Sequence, residues 1–144
     1  MQVRSARLDD VPELARLTTE LGYPSPLADL EGRLAAALDD PGRAVFVAEV
    51  GGRVAGWIDV AERRPLQEGR SAEIGGLVVA ADLHRIGLGR ALVAAAEQWA
   101  AGRGLASMTV RSRSTRAGAH AFYRGLGFED VKTSLVFRKP VDGR

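Results

Sequence analysis

The spacing of apolar and polar positions divides the 144-residue chain into a helical first part and a later part of mixed strands and helices. After a short strand over residues 2–7, apolar side chains recur every three or four positions in two segments, which predicts amphipathic helices. The first helix begins at Asp9 or Asp10 and runs to about Leu21, with Pro12 in its first turn. The second begins after Ser25 and ends within residues 39–42.

From residue 44 onward the pattern changes, and strands and helices are both predicted. The pattern predicts strands over residues 44–50, 53–61, 71–79 and 106–111, helices over 88–102 and 115–126, and one or two final strands within 128–139. Gly51-Gly52 predicts a two-residue hairpin turn, and Gly127 ends the last helix. Gly75-Gly76 inside a strand indicates a bulge or a close backbone approach.

The predicted order of elements is β-α-α-β-β-β-α-β-α-β, with a further strand where 128–139 forms two. No repeat, linker or low-complexity segment interrupts it. Both the order and the length indicate a single α/β (α+β) domain over residues 1–144, built around a mixed sheet of about six or seven strands flanked by about four helices.

The amino-acid composition excludes several classes of protein and of site. Apolar residues make up 46% of the chain and charged residues 26%, which indicates a globular protein, and no apolar run is long enough for a membrane span. The polar first residues are unlike a signal peptide. The absence of cysteine excludes disulfides, thiolate zinc and a cysteine nucleophile, and agrees with a cytoplasmic location. With only two histidines, no metal site is expected.

The charge balance gives no reason to expect a nucleic-acid partner. Twenty basic residues face eighteen acidic ones, for a formal net charge of +2. No block of five or more like charges occurs, so the high pI of about 9.5 reflects an arginine-rich surface.

The stretch "ADLHRIGLGRAL" (residues 81–92) places Gly87 and Gly89 between a strand and a helix, a pattern typical of phosphate binding. Free N–H groups and the helix dipole favour an anion there, and glycine lets it approach the backbone. Neither the P-loop lysine nor the third glycine of a dinucleotide-binding turn is present. A tight turn without a ligand is the alternative.

Two motifs resemble the GNAT (Gcn5-related N-acetyltransferase) superfamily. Residues 84–89, His-Arg-Ile-Gly-Leu-Gly, resemble its Q/R-x-x-G-x-G/A signature, between a strand "EIGGLVV" and a helix "RALVAAAEQWA" that also look like the family. "AHAFYRGLGF" (residues 119–128) resembles its A-x-x-F-Y-x-x-x-G-F. His84 departs from the usual Gln or Arg, and Arg116 departs from the usual Asn, for which Ser112 or Ser114 is a replacement.

The resemblance implies a GNAT fold with a mostly antiparallel sheet, acetyl-coenzyme A as the donor and a primary amine as the acceptor. It implies that amides of residues 86–90 bind the pyrophosphate and that residues 77–79 pair with the pantetheine arm, next to a bulge that opens the slot. The coenzyme-binding residues expected on this basis are Leu77, Val78, Val79, His84, Arg85, Ile86, Gly87, Leu88, Gly89, Arg90, Ser112, Arg116 and Phe122.

Amine acetylation needs a base for the ammonium proton and an acid for the leaving thiolate. The resemblance implies Glu73 as the base, at the family's spacing before Gly87, and Tyr123 as the acid. The alternatives for Glu73 are a structural or substrate-binding carboxylate, with an ordered water or Asp59 as the base. For Tyr123 the alternative is packing, as for Phe122. Without cysteine, direct attack in a ternary complex is favoured over an acetyl-enzyme.

The expected acceptor is a small-molecule amine, shaped in the family by segments that correspond here to residues 21–30, 62–70 and 131–135. These segments contain Tyr23 and residues of mixed charge, such as Glu62 and Arg63, and do not select one amine class. A protein or peptide acetyltransferase, a non-catalytic acyl-coenzyme A-binding module and an unrelated nucleotide-binding protein are the alternatives. No membrane partner is expected, and a homodimer is left open.

Overall fold

The structure is a computed structural model that describes residues 1–83, 86–112 and 117–143. Met1–Arg111 and Ser112–Arg144 form two compact units. The strands are β1 Gln2–Ser5, β2 Arg43–Val50, β3 Arg53–Arg63, β4 Ser71–Val79 and β5 Met108–Val110. The helices are α1 Val11–Glu20, α2 Leu27–Asp39, α3 Leu88–Gly102 and α4 Ala117–Gly125, and 3-10 turns cover Leu8–Asp10 and Ala81–Leu83.

In the first unit, five strands form one sheet in the order β1-β2-β3-β4-β5. Neighbours from β1 to β4 run antiparallel, and β5 joins β4 in parallel. The predicted turn between β2 and β3 is confirmed, because Gly51 and Gly52 both have positive φ (58° and 76°), as a two-residue hairpin turn requires. The mixed, mostly antiparallel α/β fold expected from the sequence is therefore confirmed.

Helices cover both faces of this sheet. Leu14 and Leu17 of α1 and Leu34 of α2 pack in one core with Val45 and Val47 of β2. On the opposite face, α3 packs against β2, β3 and β4 through a fully buried row that starts with Leu88 and Leu92. Burial of these side chains gives each about 1.5–3 kcal/mol and holds the start of α3 against the sheet.

Strand β4 carries the predicted bulge. Asp59 of β3 pairs with Gly76 and the next residue, Val60, pairs with Ile74, so Gly75 is the extra residue. A bulge bends a strand and increases its twist. The bulge thus separates the part of β4 that adjoins β5 from the part that leads to α3.

The final strands expected within 128–139 are not seen, because the structure assigns no helix or strand to residues 126–143. Their apolar residues suggested a buried strand, yet Val131, Val136 and Phe137 are each more than 80% exposed. The described residues therefore form five strands instead of six or seven. The prediction of one domain over the whole chain stays a prediction.

Candidate active site

The glycine turn before α3 has the backbone geometry that the sequence suggested. Gly87 is the N-cap residue with φ 84°, a left-handed conformation that side chains with a Cβ rarely adopt. Its carbonyl accepts the Ala91 amide at 3.0 Å, which closes the first turn of α3. The next amides, of Leu88, Gly89 and Arg90, belong to the first turn, where N–H groups have no acceptor within the helix. His84 and Arg85 lie outside the described residues.

An ion pair anchors the chain just before this turn. Arg53, at the start of β3, donates to both carboxylate oxygens of Asp82 at 3.1 and 3.4 Å. The Arg53 guanidinium holds the pKa of Asp82 below its usual value, chiefly through these hydrogen bonds. Residues 81–83, which lead into the turn, are thereby tied to the sheet.

Beyond the bulge, one edge of β4 is left uncovered by β5. The β4–β5 ladder runs from Ala72–Met108 to Ile74–Val110 and ends there. The β3–β4 ladder continues to the pair Gly56–Val79. In the described part of the chain, residues 76–79 therefore pair with β3 and not with β5. A strand with such an edge can add an extended chain as a further strand.

The two bulge glycines are needed because side chains of β3 lie against them. A Cβ on Gly75 would lie 2.9 Å from Oδ2 of Asp59, and a Cβ on Gly76 would lie 2.8 Å from the ring of Trp57. Both distances are shorter than ordinary van der Waals contact. Trp57 and Asp59 thus occupy the space over the bulge, on the sheet face that carries α1 and α2.

Glu73 lies two residues before the bulge and contacts two arginines. Arg63 Nε is 2.9 Å from its Oε2, and Arg111 Nε donates to its Oε1 at 3.3 Å. The Arg63 N–H does not point at the oxygen, so Oε2 is buried without a hydrogen-bond donor among the described residues. The predicted base therefore has one oxygen that can still accept a proton or a hydrogen bond.

The second candidate base, Asp59, has a looser partner. Arg43 Nη2 approaches its two oxygens at 3.4 and 3.5 Å. Asp59 and Ala61 are two residues apart on β3, about 7 Å, and Ala61 pairs with Glu73. The carboxylates of Asp59 and Glu73 thus share one sheet face. We call this group the arginine–carboxylate cluster: Arg43, Asp59, Arg63, Glu73 and Arg111.

The loop between β3 and β4, one of the segments expected to shape the acceptor site, is held by Glu62. Its carboxylate accepts hydrogen bonds from Arg70 at 3.1 and 3.2 Å and from Arg103 at 3.2 Å. The nearby Arg70 guanidinium, followed by that of Arg103, lowers the pKa of Glu62. Both ends of the loop are fixed by these bonds.

In the second unit, Tyr123 lies on α4 in a cluster of aromatic rings. Its ring meets those of Phe122 and Phe128 edge to face, with centroids 5.2 and 5.6 Å away. The Phe128 amide donates to the Tyr123 carbonyl at 3.1 Å around Gly127, whose φ of 96° ends the helix as predicted. Ser112 is described and exposed, whereas Ser114 and Arg116 lie outside the described residues.

A search of the described residues finds no group of three His, Cys, Asp or Glu side chains that are able to hold a metal ion. None of the helices in the same part of the chain has the length and apolar character needed to cross a bilayer.

Comparison with known proteins identifies the family. Residues 8–128 match the model of the Acetyltransferase (GNAT) family. An aminoglycoside N(6')-acetyltransferase type 1 of Stenotrophomonas maltophilia is 32% identical over 145 residues, which cover 97% of this chain and 94% of that protein. The chain belongs to the GNAT acetyltransferase family.

Two further similarities agree with this membership. A mycothiol acetyltransferase of Clavibacter michiganensis subsp. michiganensis is 32% identical over 130 residues, 89% of this chain but 38% of that longer protein. The aminoglycoside 6'-N-acetyltransferase of Acinetobacter haemolyticus superposes with a TM-score of 0.86 at 18% identity, over 99% of this chain and 100% of that one. At that identity the second similarity shows the fold.

Membership in the GNAT family makes this chain an acetyl-coenzyme A-dependent acetyltransferase, as the two sequence motifs indicated. The motif residues that the structure describes have the following places in the elements of each unit. Gly87 begins α3, residues 77–79 follow the bulge, and Tyr123 lies on α4.

The sequence reasoning missed two members of the arginine–carboxylate cluster, Arg43 and Arg111, although it named Arg63 among the residues of the acceptor loops. Strand alternation places Arg43 on the face of Val45 and Val47, and places Asp59 on the face of Trp57. The sequence therefore contained a signal for the face on which each of these two side chains lies. The pairing of Arg43 with Asp59, however, depends on the register between β2 and β3, which the sequence alone does not give.

Proposed function

We propose that this GNAT enzyme transfers the acetyl group of acetyl-coenzyme A to the primary amine of a small molecule, by direct attack within a ternary complex. The observation that carries the proposal is the combination of a bulged β4 edge uncovered by β5 with a left-handed glycine opening α3. The edge suits the extended pantetheine arm, and the amides of residues 86–90 suit the pyrophosphate. The small-molecule acceptor is supported by the activities for which the two relatives are named, aminoglycoside and mycothiol acetylation.

In the proposed reaction, the amine nitrogen attacks the thioester carbonyl carbon after losing its ammonium proton. Glu73 receives that proton, directly or through a water, and the orphaned Oε2 supports this role. A backbone amide of residues 77–79 stabilises the oxyanion. The carbon–sulfur bond then breaks, and Tyr123 gives its phenolic proton to the thiolate. The nitrogen, which is positively charged after the attack, releases its second proton, and this proton restores the phenol. The products are the acetamide and coenzyme A.

The assignment of Tyr123 as the acid is supported by the Phe122-Tyr123 motif and by a neutral hydroxyl that is able to donate at neutral pH. Ser112 and Phe122 are proposed to contact the coenzyme on the same motif basis. Asp59 is the second candidate for the base, since it lies over the bulge with only a long contact to Arg43.

The test is a coenzyme A-release assay with acetyl-coenzyme A and a panel of aminoglycosides, polyamines, amino acids, small xenobiotic amines and peptides with free N-termini. The chain has no cysteine, so released coenzyme A can be titrated with a thiol reagent without background from the protein. We expect release that depends on the amine, and a product heavier by one acetyl group.

Tight binding of acetyl-coenzyme A without release on any amine would replace this proposal with a non-catalytic acyl-coenzyme A-binding module. Acetylation confined to peptides would move the acceptor class to proteins. We further propose a cytoplasmic location, which the cysteine-free sequence suits. The homodimer stays a prediction that size-exclusion chromatography tests.

A further inference from the structure

The arginine–carboxylate cluster has more positive than negative groups. Three guanidinium groups face two carboxylates, which leaves a formal charge of +1 on the face beside the bulge. The side chains of Arg63 and Arg111 are 36% and 56% exposed, whereas that of Glu73 is only 20% exposed. The part of the cluster that an incoming molecule meets first is therefore cationic.

Among the described residues, the terminal nitrogens of the two arginines on Glu73 have no hydrogen-bond acceptor. Arg63 contacts Glu73 through Nε, and Arg111 also donates through Nε. The hydrogen bonds recorded for these two side chains within the described residues do not use a terminal nitrogen. The paired terminal nitrogens of arginine form the fork that binds a carboxylate through two parallel hydrogen bonds.

Two buried polar atoms, one within this cluster and one beside it, lack a hydrogen-bond partner in the described part of the chain. Glu73 Oε2 has no hydrogen-bond donor, and Trp57 Nε1 has no acceptor. The Trp57 ring, from β3, lies over Gly76 of β4. Glu73 is on β4 too, three residues before Gly76. An unpaired buried polar group is destabilising, so such groups are commonly completed by a ligand or water. Here one donor and one acceptor are left for a molecule that carries both kinds of group.

We propose that the acceptor is an amine that also carries a carboxylate, with this carboxylate bound by Arg63 and Arg111 and its amine directed toward Glu73 and the bulge. The inference rests on the proposed acetyltransferase function and specifies its substrate class. An ammonium group supplies the donor that Glu73 Oε2 lacks. The carboxylate supplies the anion that the exposed guanidinium groups require.

The same charge count opposes a polycationic acceptor. An aminoglycoside or polyamine brings several ammonium groups, and each additional one would meet a face with a formal charge of +1. Like charges at close range lower affinity and reject the wrong partner. This enzyme is thus expected to differ in its acceptor from the aminoglycoside acetyltransferases that it resembles.

The experiment compares matched amines in the coenzyme A-release assay. Glycine, β-alanine and 4-aminobutyrate are each paired with ethylamine, propylamine or butylamine, and with the diamine of similar length. Charged hydrogen bonds of this type correspond to a change of about tenfold or more. We expect at least one amino acid to exceed its alkylamine by that factor in kcat/KM, and each diamine to fall below its alkylamine.

Variants separate recognition of the carboxylate from support of the fold. In Arg111→Gln and Arg63→Gln, the preference for the amino acid over its alkylamine is expected to fall toward one, whereas the rate with the alkylamine falls less. Arg7→Gln is the matched control, because Arg7 also pairs through Nε at 3.3 Å and is 61% exposed, but with Asp9 and away from the cluster. It is expected to keep both rates.

Three outcomes would overturn the inference. Equal rates with each amino acid and its alkylamine, or faster turnover of diamines or an aminoglycoside, would refute it and leave the acetyltransferase function standing. A preference that survives Arg63→Gln and Arg111→Gln would show that other residues bind the carboxylate. Absence of coenzyme A release with every amine would refute the proposed function and this inference together.

Discussion

Single residues in the glycine turn are expected to control coenzyme binding more than folding. Gly89 lies in the first turn of α3, where the proposed pyrophosphate site requires close approach to the backbone. We expect Gly89→Val to abolish acetyl-coenzyme A binding, since its Cβ and methyl groups would occupy that approach. The wild type at 100 times its Kd gains about 2.7 kcal/mol of stability from the ligand, and the variant should gain none in a thermal-shift measurement.

The control for this variant is Gly102→Val, at the last residue of the same helix. A Cβ there meets nothing within 4 Å, so the substitution changes helix propensity alone. It should keep the stabilisation by ligand. Normal affinity in Gly89→Val would contradict the interpretation of this turn as a pyrophosphate site.

Tyr123 offers a second test at the residue scale. Removal of its hydroxyl group abolishes proton donation but keeps the ring that packs. In Tyr123→Phe the edge-to-face contacts with Phe122 and Phe128 can persist. We expect kcat to fall by about 100-fold, the lower part of the range for general acid catalysis, with little change in the Kd of acetyl-coenzyme A. Steady-state kinetics and calorimetry measure the two quantities separately.

Phe128→Leu provides the comparison, since it removes a ring contact and keeps the phenol. It should retain most of kcat. If instead Phe128→Leu is as slow as Tyr123→Phe, the tyrosine acts through packing and the proton comes from another group.

At the scale of elements, the bulge in β4 is the feature on which the proposed site depends. In Gly76→Ala, the added Cβ would lie 2.8 Å from Cη2 and 3.0 Å from Cζ3 of Trp57. The indole must move, and such overpacking costs about 1–3 kcal/mol. We expect a lower midpoint in urea, a changed tryptophan fluorescence spectrum and reduced turnover.

Gly32→Ala is the matched substitution, on α2 with no atom within 4 Å of the added Cβ. Because alanine favours a helix over glycine by about 1 kcal/mol, this variant should be as stable as the wild type or more stable. A Gly76→Ala protein with unchanged stability and fluorescence would show that the bulge tolerates a side chain.

The bounds of elements that depend on local sequence pattern were predicted well. Features that depend on pairing with a distant strand were not. The predicted bounds of β4 and the end of α3 agree with the structure, since alternation, apolar spacing and glycine act locally. The segment 128–139 was also predicted to form strands, but a strand exists only where another strand pairs with it. The Glu73–Arg111 contact likewise requires the parallel β4–β5 register, which the sequence does not state.

At the scale of the whole molecule, we expect stability in acid to depend on the hydrogen bonds of Asp10, near the start of the chain. Asp10 is 5% exposed and its carboxylate accepts two hydrogen bonds from Arg4, at 2.8 and 2.9 Å, and one from the Arg7 amide at 2.7 Å. The Arg4 guanidinium is the main reason that the pKa of Asp10 lies below its usual value. Burial opposes this lowering in part, and the Arg7 amide adds to it. This network joins β1 to the start of α1.

A lowered pKa means that the folded state holds the proton of Asp10 less tightly than the unfolded chain does. The stabilisation is therefore complete above the unfolded value of about 3.9 and is lost as the pH falls through the lower folded value. At pH 7, Asp10→Asn should lose about 2 kcal/mol in urea unfolding, because hydrogen bonds to a charged group are lost. It should also depend less on pH below 4 than the wild type.

Asp82→Asn is the comparison that separates this network from an ordinary surface ion pair. Asp82 also receives two hydrogen bonds from one arginine, but its side chain is 64% exposed and that of Asp10 only 6%. Exposed pairs contribute little, so this variant should unfold near the wild-type midpoint. Equal losses in the two variants would mean that burial of Asp10 adds nothing, and that the acid sensitivity of the fold originates elsewhere in the chain.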